Sequence, residues 1–185
     1  MTAQKKSQPS SVALVGQPNV GIAQDFQQLT GSYVTVANYP GTTVEITRGT
    51  ARNLAQTEMI DTPGVVTLPP HSEDEEVTAR VLLNEPLQAI VQVGDAKNIR
   101  RTLLLSLQLA ETGVPMALAL NMMDEADERG LEINTDVIAE ALHIDVIPTI
   151  AVRGEGMHEL TRAIGAAHRS GIRLHYPAPI EKILV

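Results

Sequence analysis

Four short runs of small and branched apolar residues, Val12 to Val15, Ile90 to Val93, Met116 to Leu120 and Val146 to Ile150, each precede a longer segment with helical spacing. Those segments run from Gln24 to Thr30, Asn98 to Thr112, Thr135 to His143 and Met157 to Arg169. A strand wetted on one face alternates apolar and polar residues, whereas a strand covered on both faces is apolar throughout. The rhythm therefore predicts an α/β domain, a mostly parallel sheet with helices on both faces. Val44 to Thr50 and Gln56 to Ile60 flank the turn-like Arg52-Asn53, which predicts a hairpin contributing one antiparallel edge strand. Gly113 and Gly171 punctuate helix ends, the second after a helix expected to close on His168 and Arg169.

The 185 residues suit one domain, since domains usually run to about 100–200 residues. Residues 12–172 are read as that domain, 1–11 as a polar disordered tail and 173–185 as an extension or the start of a linker. A formal charge of −8 leaves no broad basic surface, which argues against nucleic acid as a partner. There is no cysteine, hence no disulfide or thiolate metal centre. The polar start MTAQKKSQPSS is not expected to act as a signal segment. No apolar stretch approaches the roughly 20 residues that span a bilayer, so a membrane role is expected to come through other chain.

Three motifs sit at predicted strand ends. GQPNVG, Gly16 to Gly21, lies between the first strand and the first helix, where free backbone N–H groups and the positive helix end favour a phosphate. The pattern G-x-x-x-x-G-K-[ST] then requires Lys and a hydroxyl residue, and this chain has Ile22 and Ala23. Asp61-Thr62-Pro63-Gly64 places a carboxylate at a strand end before a tight turn, suited to Mg2+ through water, with a glycine amide facing a terminal phosphate. In Asn121-Met122-Met123-Asp124, a carboxylate can accept from two adjacent donors while Asn121 braces neighbouring loops. Guanine offers such a donor pair on one edge; adenine does not.

In order, GQPNVG, NYPGTTVE (Asn38 to Glu45), DTPG, HSEDEEV (His71 to Val77) and NMMDEA (Asn121 to Ala126) resemble the G domain of FeoB, the bacterial ferrous-iron transporter, from about Val12 to Ile183. The resemblance implies a Ras-like P-loop fold, with GTP or GDP as ligand, Mg2+ at a weakened site, and K+ beside the phosphates. It implies a position at the cytoplasmic face of the bacterial inner membrane. The partner would be the membrane-embedded iron-transport portion of the same or another chain, and a homo-oligomer is allowed. By the same resemblance, Gly16, Gln17, Pro18, Asn19, Val20, Gly21, Ile22 and Ala23 wrap the phosphates. Asn121, Met122, Asp124, Ala151 and Val152 hold the base, although the usual Ser-Ala of the last loop is Ile150-Ala151. Thr43 and Asp61 belong to the metal, while Thr43, Gly64 and Asn19 serve hydrolysis, Asn19 through K+.

Two departures bear on activity. The missing ammonium would contact β- and γ-phosphates, and the missing hydroxyl would bind Mg2+ directly. Val65 after DTPG supplies no glutamine to orient water. GDP binding is expected to outlast GTP hydrolysis, because backbone amides do not replace both groups in stabilising transition-state charge. The rival expectation is a nucleotide-free pseudo-GTPase acting as a protein-interaction module. Asp25 stands where the family has an apolar residue, and a carboxylate near the phosphates would repel them. His71, His143, His158, His168 and His175 are too dispersed to form an iron site. Glu73 to Glu76 read as the first turn of a helix capped by Ser72.

Overall fold

The computed structural model describes residues 10–68 and 70–172. The expected extension over 173–185 and most of the expected tail lie outside the described residues. Strand β1 (Ser10–Gly16) is buried from Ser11 onward, as a continuous apolar run requires. It lies centrally in a seven-stranded sheet ordered β2 (Thr30–Asn38), β3 (Glu45–Ala51), β4 (Thr57–Asp61), β1, β5 (Leu87–Asp95), β6 (Met116–Asn121) and β7 (Asp145–Pro148). Strands β4, β5, β6 and β7 follow the direction of β1 through parallel pairings. The register sets Leu14 beside Asp61, Gly16 beside Val93 and Asp95 beside Asn121. Carboxyl ends of neighbouring parallel strands thus collect at one edge, where open α/β sheets form their crevices.

Alternation along β1 assigns the two faces. Val12 and Leu14 pack with Phe26 and Leu29 of α1 (Ile22–Leu29) and with Leu160 and Ile164 of α6 (Met157–Gly165). Ala13 and Val15 join the opposite core, with Val77 and Val81 of α2 (Glu73–Asn84) and Leu105 and Leu109 of α3 (Ile99–Ala110). Each such large side chain contributes about 1.5–3 kcal/mol by leaving water. The second core also takes Leu142 of α5 (Thr135–Leu142) and Ala126 of the short α4 (Met123–Glu128).

The expected hairpin forms between β3 and β4, and β3 is the antiparallel strand. It is not the edge, however, because β2 pairs outside it, antiparallel to β3. The sequence of β2 mixes small, polar and apolar residues, and its exposed outer half lacks the burial that produces a continuous apolar run. Helix α1 begins at Ile22 rather than Gln24, and β1 starts two residues before Val12. Helix α6 ends at Gly165, short of Arg169, because the chain turns to bring the His168 carbonyl to the Met116 N–H, an isolated antiparallel bridge. Ser72 does cap α2: its hydroxyl accepts from the Glu75 N–H.

Candidate functional site

The loop after β1 closes on a residue that must be glycine. Gly21 has φ 94°, the left-handed region, and a Cβ there would collide with the Asn121 side-chain nitrogen. Its carbonyl accepts from the N–H groups of Gln24 and Asp25, starting α1. Asn19 also has positive φ, 66°, which its short polar side chain tolerates. The N–H groups of Asn19, Val20, Gly21, Ile22 and Ala23 have no partner among the described residues. Five donors at the positive end of a helix make an anion cradle without a cationic side chain.

The Asn121 side chain ties the base end to this cradle. Its nitrogen donates to the Val20 carbonyl at 3.0 Å, while its oxygen accepts from the Ala151 N–H at 3.0 Å and the Thr149 hydroxyl at 3.4 Å. It is 4% exposed, so all three bonds are shielded from water. Asp124 lies in the first turn of α4, its carboxylate 3.3 Å from the guanidinium of the more exposed Arg153. Met122 sits between them with φ 62°, and the Lys97 ammonium approaches its sulfur at 2.9 Å and the Glu125 carboxylate at 2.6 Å.

The third segment is fastened from beneath. The Thr62 N–H and hydroxyl both donate to the Leu14 carbonyl, and the Val65 N–H donates to the Gly16 carbonyl at 2.8 Å. Gly64 lies so close to Pro18 that an added Cβ would approach its ring and backbone to 3.0 Å. Glu75 reaches back from α2 to accept from the Val66 N–H at 2.9 Å and the His71 N–H at 2.8 Å. Those bonds hold its carboxyl below the usual range. Sequence reasoning did not single out Glu75 in this role, although Ser72-x-x-Glu75 is the spacing of a capping box. Asp61, at the end of β4, has its carboxyl raised to about 6 by burial.

These segments share a cleft of about 530 Å³. Its phosphate side is lined by Gln17, Pro18, Asn19, Gly21, Ile22 and Ala23, with Asp61 and Gly64 opposite; its other end is lined by Asn121, Met122, Asp124, Ala151 and Val152. Gly16 and Val20 lie beneath the lining rather than in it. The sequence reading missed Gln24, Thr62 and Glu125, which also line the cleft. Thr43 is elsewhere. Its N–H and hydroxyl both donate to Glu73 at 3.4 Å, and it lines an adjoining pocket that meets the cleft at Asp61 and Thr62.

Two further expectations change. Thr43 and Asp61, expected at a weakened Mg2+ site, fit the ion poorly: Ala23 adds no side-chain oxygen, Thr43 is engaged by Glu73, and Asp61 remains as one carboxylate. Among the described residues no group of three His, Asp or Glu side chains is arranged to hold a metal. Asp25 does not face the phosphates. It is 0% exposed beside Phe26 on the inner side of α1, with no partner for either oxygen among the described residues, and burial lifts its carboxyl to about 7.

Known proteins resemble this chain in sequence and in fold. The sequence model described as ferrous iron transport protein B matches residues 10–164. The Fe(2+) transporter FeoB of Escherichia coli strain K12 is 35% identical over 177 residues, covering 92% of this chain and 23% of the relative, so the chain spans about a quarter of that protein. The cytosolic domain of L. pneumophila FeoB superposes with a TM-score of 0.86 at 34% identity, covering 95% of this chain and 71% of the other. The cytosolic domain of T. maritima FeoB in a GDP form gives 0.84 at 34% identity, with coverages of 94% and 70%.

Proposed function

The chain belongs to the family of ferrous iron transport protein B, and from that premise we propose that its cleft binds guanine nucleotide as the G domain of an Fe2+ transporter. Asn121 carries the reading, because one buried carboxamide holds the phosphate loop, the Asp124 segment and the Ala151 segment in a single cleft. In this reading Asp124 accepts from the two adjacent donors of guanine, displacing its loose contact with Arg153, while Met122, Ala151 and Val152 flank the base. Five free N–H groups receive the phosphates.

Hydrolysis is impaired. Ile22 and Ala23 remove the ammonium and the hydroxyl that stabilise developing charge, and Thr43 stands outside the cleft. Asn19 lines the phosphate side and is the residue this reading assigns to K+. The domain would act on the cytoplasmic side, coupled to a membrane-embedded iron-transport portion, and residues 12–172 would form the working unit.

Calorimetry on Asp124→Ala tests the base assignment. The expected result is at least about tenfold weaker GDP binding, the loss of a charged acceptor in a closed site. Equal GDP affinity in parent and variant refutes the assignment; no saturable binding by the parent at high micromolar GDP supports a nucleotide-free interaction module instead.

A further inference from the structure

Three carboxylates, Asp61, Asp124 and Glu125, are the charged side chains lining the cleft; among the described residues no Lys, Arg or His lines it. Asp124 and Glu125 belong to the base end, where Arg153 and Lys97 offset them from outside the lining. Asp61 faces the phosphate side with no cation in contact, since Ile22 and Ala23 occupy the start of α1. The attraction that the chain's own groups offer phosphate therefore comes from the backbone. The free N–H groups of residues 19–23 all belong to the short turn between Pro18 and the first turn of α1, so their reach is local.

A third phosphate would have to lie farther out, toward Asp61 and Gly64. In a nucleotide switch the segment after such a glycine is ordered by contact with that phosphate, and the contact rewards the triphosphate. Here the segment is already fastened by the protein itself. Val65 bonds to Gly16, Thr62 to Leu14, Gly64 rests on Pro18, and Glu75 holds the Val66 and His71 N–H groups. Farther along, the Thr78 hydroxyl donates to the Pro63 carbonyl, and Gln108 bonds to both the N–H and the carbonyl of Leu68. A ligand can shift an equilibrium only by its differential affinity for two states, and these bonds need no ligand.

Resting on the guanine reading above, we propose that the cleft is a guanosine-diphosphate site that gains nothing from a third phosphate, and that the segment from Thr62 to Leu68 keeps one arrangement whichever guanine nucleotide is bound. The base end and the amide cradle supply the affinity; the outer phosphate meets Asp61 with no cationic side chain in the lining to offset it. Surfaces presented by this segment would then be read by a partner independently of nucleotide state.

Titration of the intact chain with GMP, GDP and a non-hydrolysable GTP analogue, each with Mg2+ and with EDTA, tests this together with amide exchange across residues 62–68. GDP is expected to bind at least about tenfold tighter than GMP through the additional charge-assisted amide bonds. The GTP analogue is expected to bind no tighter than GDP, Mg2+ to leave the order unchanged, and exchange to be equal with GDP and with the analogue. A GTP analogue binding more than about threefold tighter than GDP overturns the proposal, as does GMP matching GDP or added protection of 62–68 by the analogue. Failure of all three nucleotides to bind removes the guanine reading itself.

Discussion

Asp25 and Asn121 are both buried polar side chains, one on the helix that opens the phosphate end of the cleft and the other at the base end. Asn121 is satisfied by the Val20 carbonyl, the Ala151 N–H and the Thr149 hydroxyl. Asp25 has no partner for either oxygen among the described residues. A fully bonded buried amide locks three segments together, whereas an orphaned buried carboxylate shifts its protonation and strains the element that carries it. The base end is therefore specified by long-range bonds, and the phosphate end by backbone conformation on a compromised helix.

The sharpest way to break this contrast is to remove the orphan. Lifting the Asp25 carboxyl from 3.8 to about 7 corresponds to a cost of about 4 kcal/mol above neutral pH. The folded state holds the proton that the unfolded state releases, so stability falls as pH rises from about 4 to about 7 and is level above that. Asp61, raised to about 6, contributes with the same sign over a narrower window, while Glu75, lowered, costs stability only as pH falls below its ordinary value. Asp25→Leu is expected to stabilise the domain by about 4 kcal/mol at pH 8 and by less at pH 5. Denaturant midpoints at the two pH values check it, and equal midpoints for parent and variant at pH 8 would mean that Asp25 finds a partner in solution.

Creating an orphan at the other end should do the reverse. Asn121→Ala leaves the Val20 carbonyl and the Ala151 N–H unpaired, an expected loss of about 2–4 kcal/mol in thermal or denaturant unfolding. A smaller loss, with GDP affinity intact, would show that water replaces the carboxamide and that the two ends are less coupled than the bonds imply. Restoring the phosphate end sharpens the comparison further. Because Asp25 is turned into the core rather than toward the cleft, Ile22→Lys with Ala23→Thr meets no adjacent carboxylate on α1. GTP turnover in saturating K+ and Mg2+ is expected to rise about 10²-fold, the worth of a restored electrostatic donor. Unchanged turnover in a folded, GDP-binding double variant would place the lesion elsewhere, with Thr43, held by Glu73, the first position to test.

Much of this architecture is written locally. Continuous apolar runs announce β1, β5 and β6 because those strands are covered on both faces, and glycine at position 21 announces a backbone that other residues resist. Asn121 and Asp124 are legible because their spacing places both at the exit of a buried strand. The edge strand β2 escaped notice, since exposure removes the patterning by which strands are recognised. Contacts between distant segments belong to the tertiary structure. Thr43 carries the same motif in sequence whether it points into the cleft or toward Glu73, thirty residues away. Glu75 looks like one more acidic residue in a helix start until the chain folds Val66 and His71 over it. Asp25 follows three cleft-lining residues on α1, and only the packing of that helix against β1, β4 and α6 decides that its carboxylate is shut away from both solvent and ligand. Local backbone preference and side-chain patterning act over a few residues; the pairing of a buried polar group depends on what the rest of the chain brings to it.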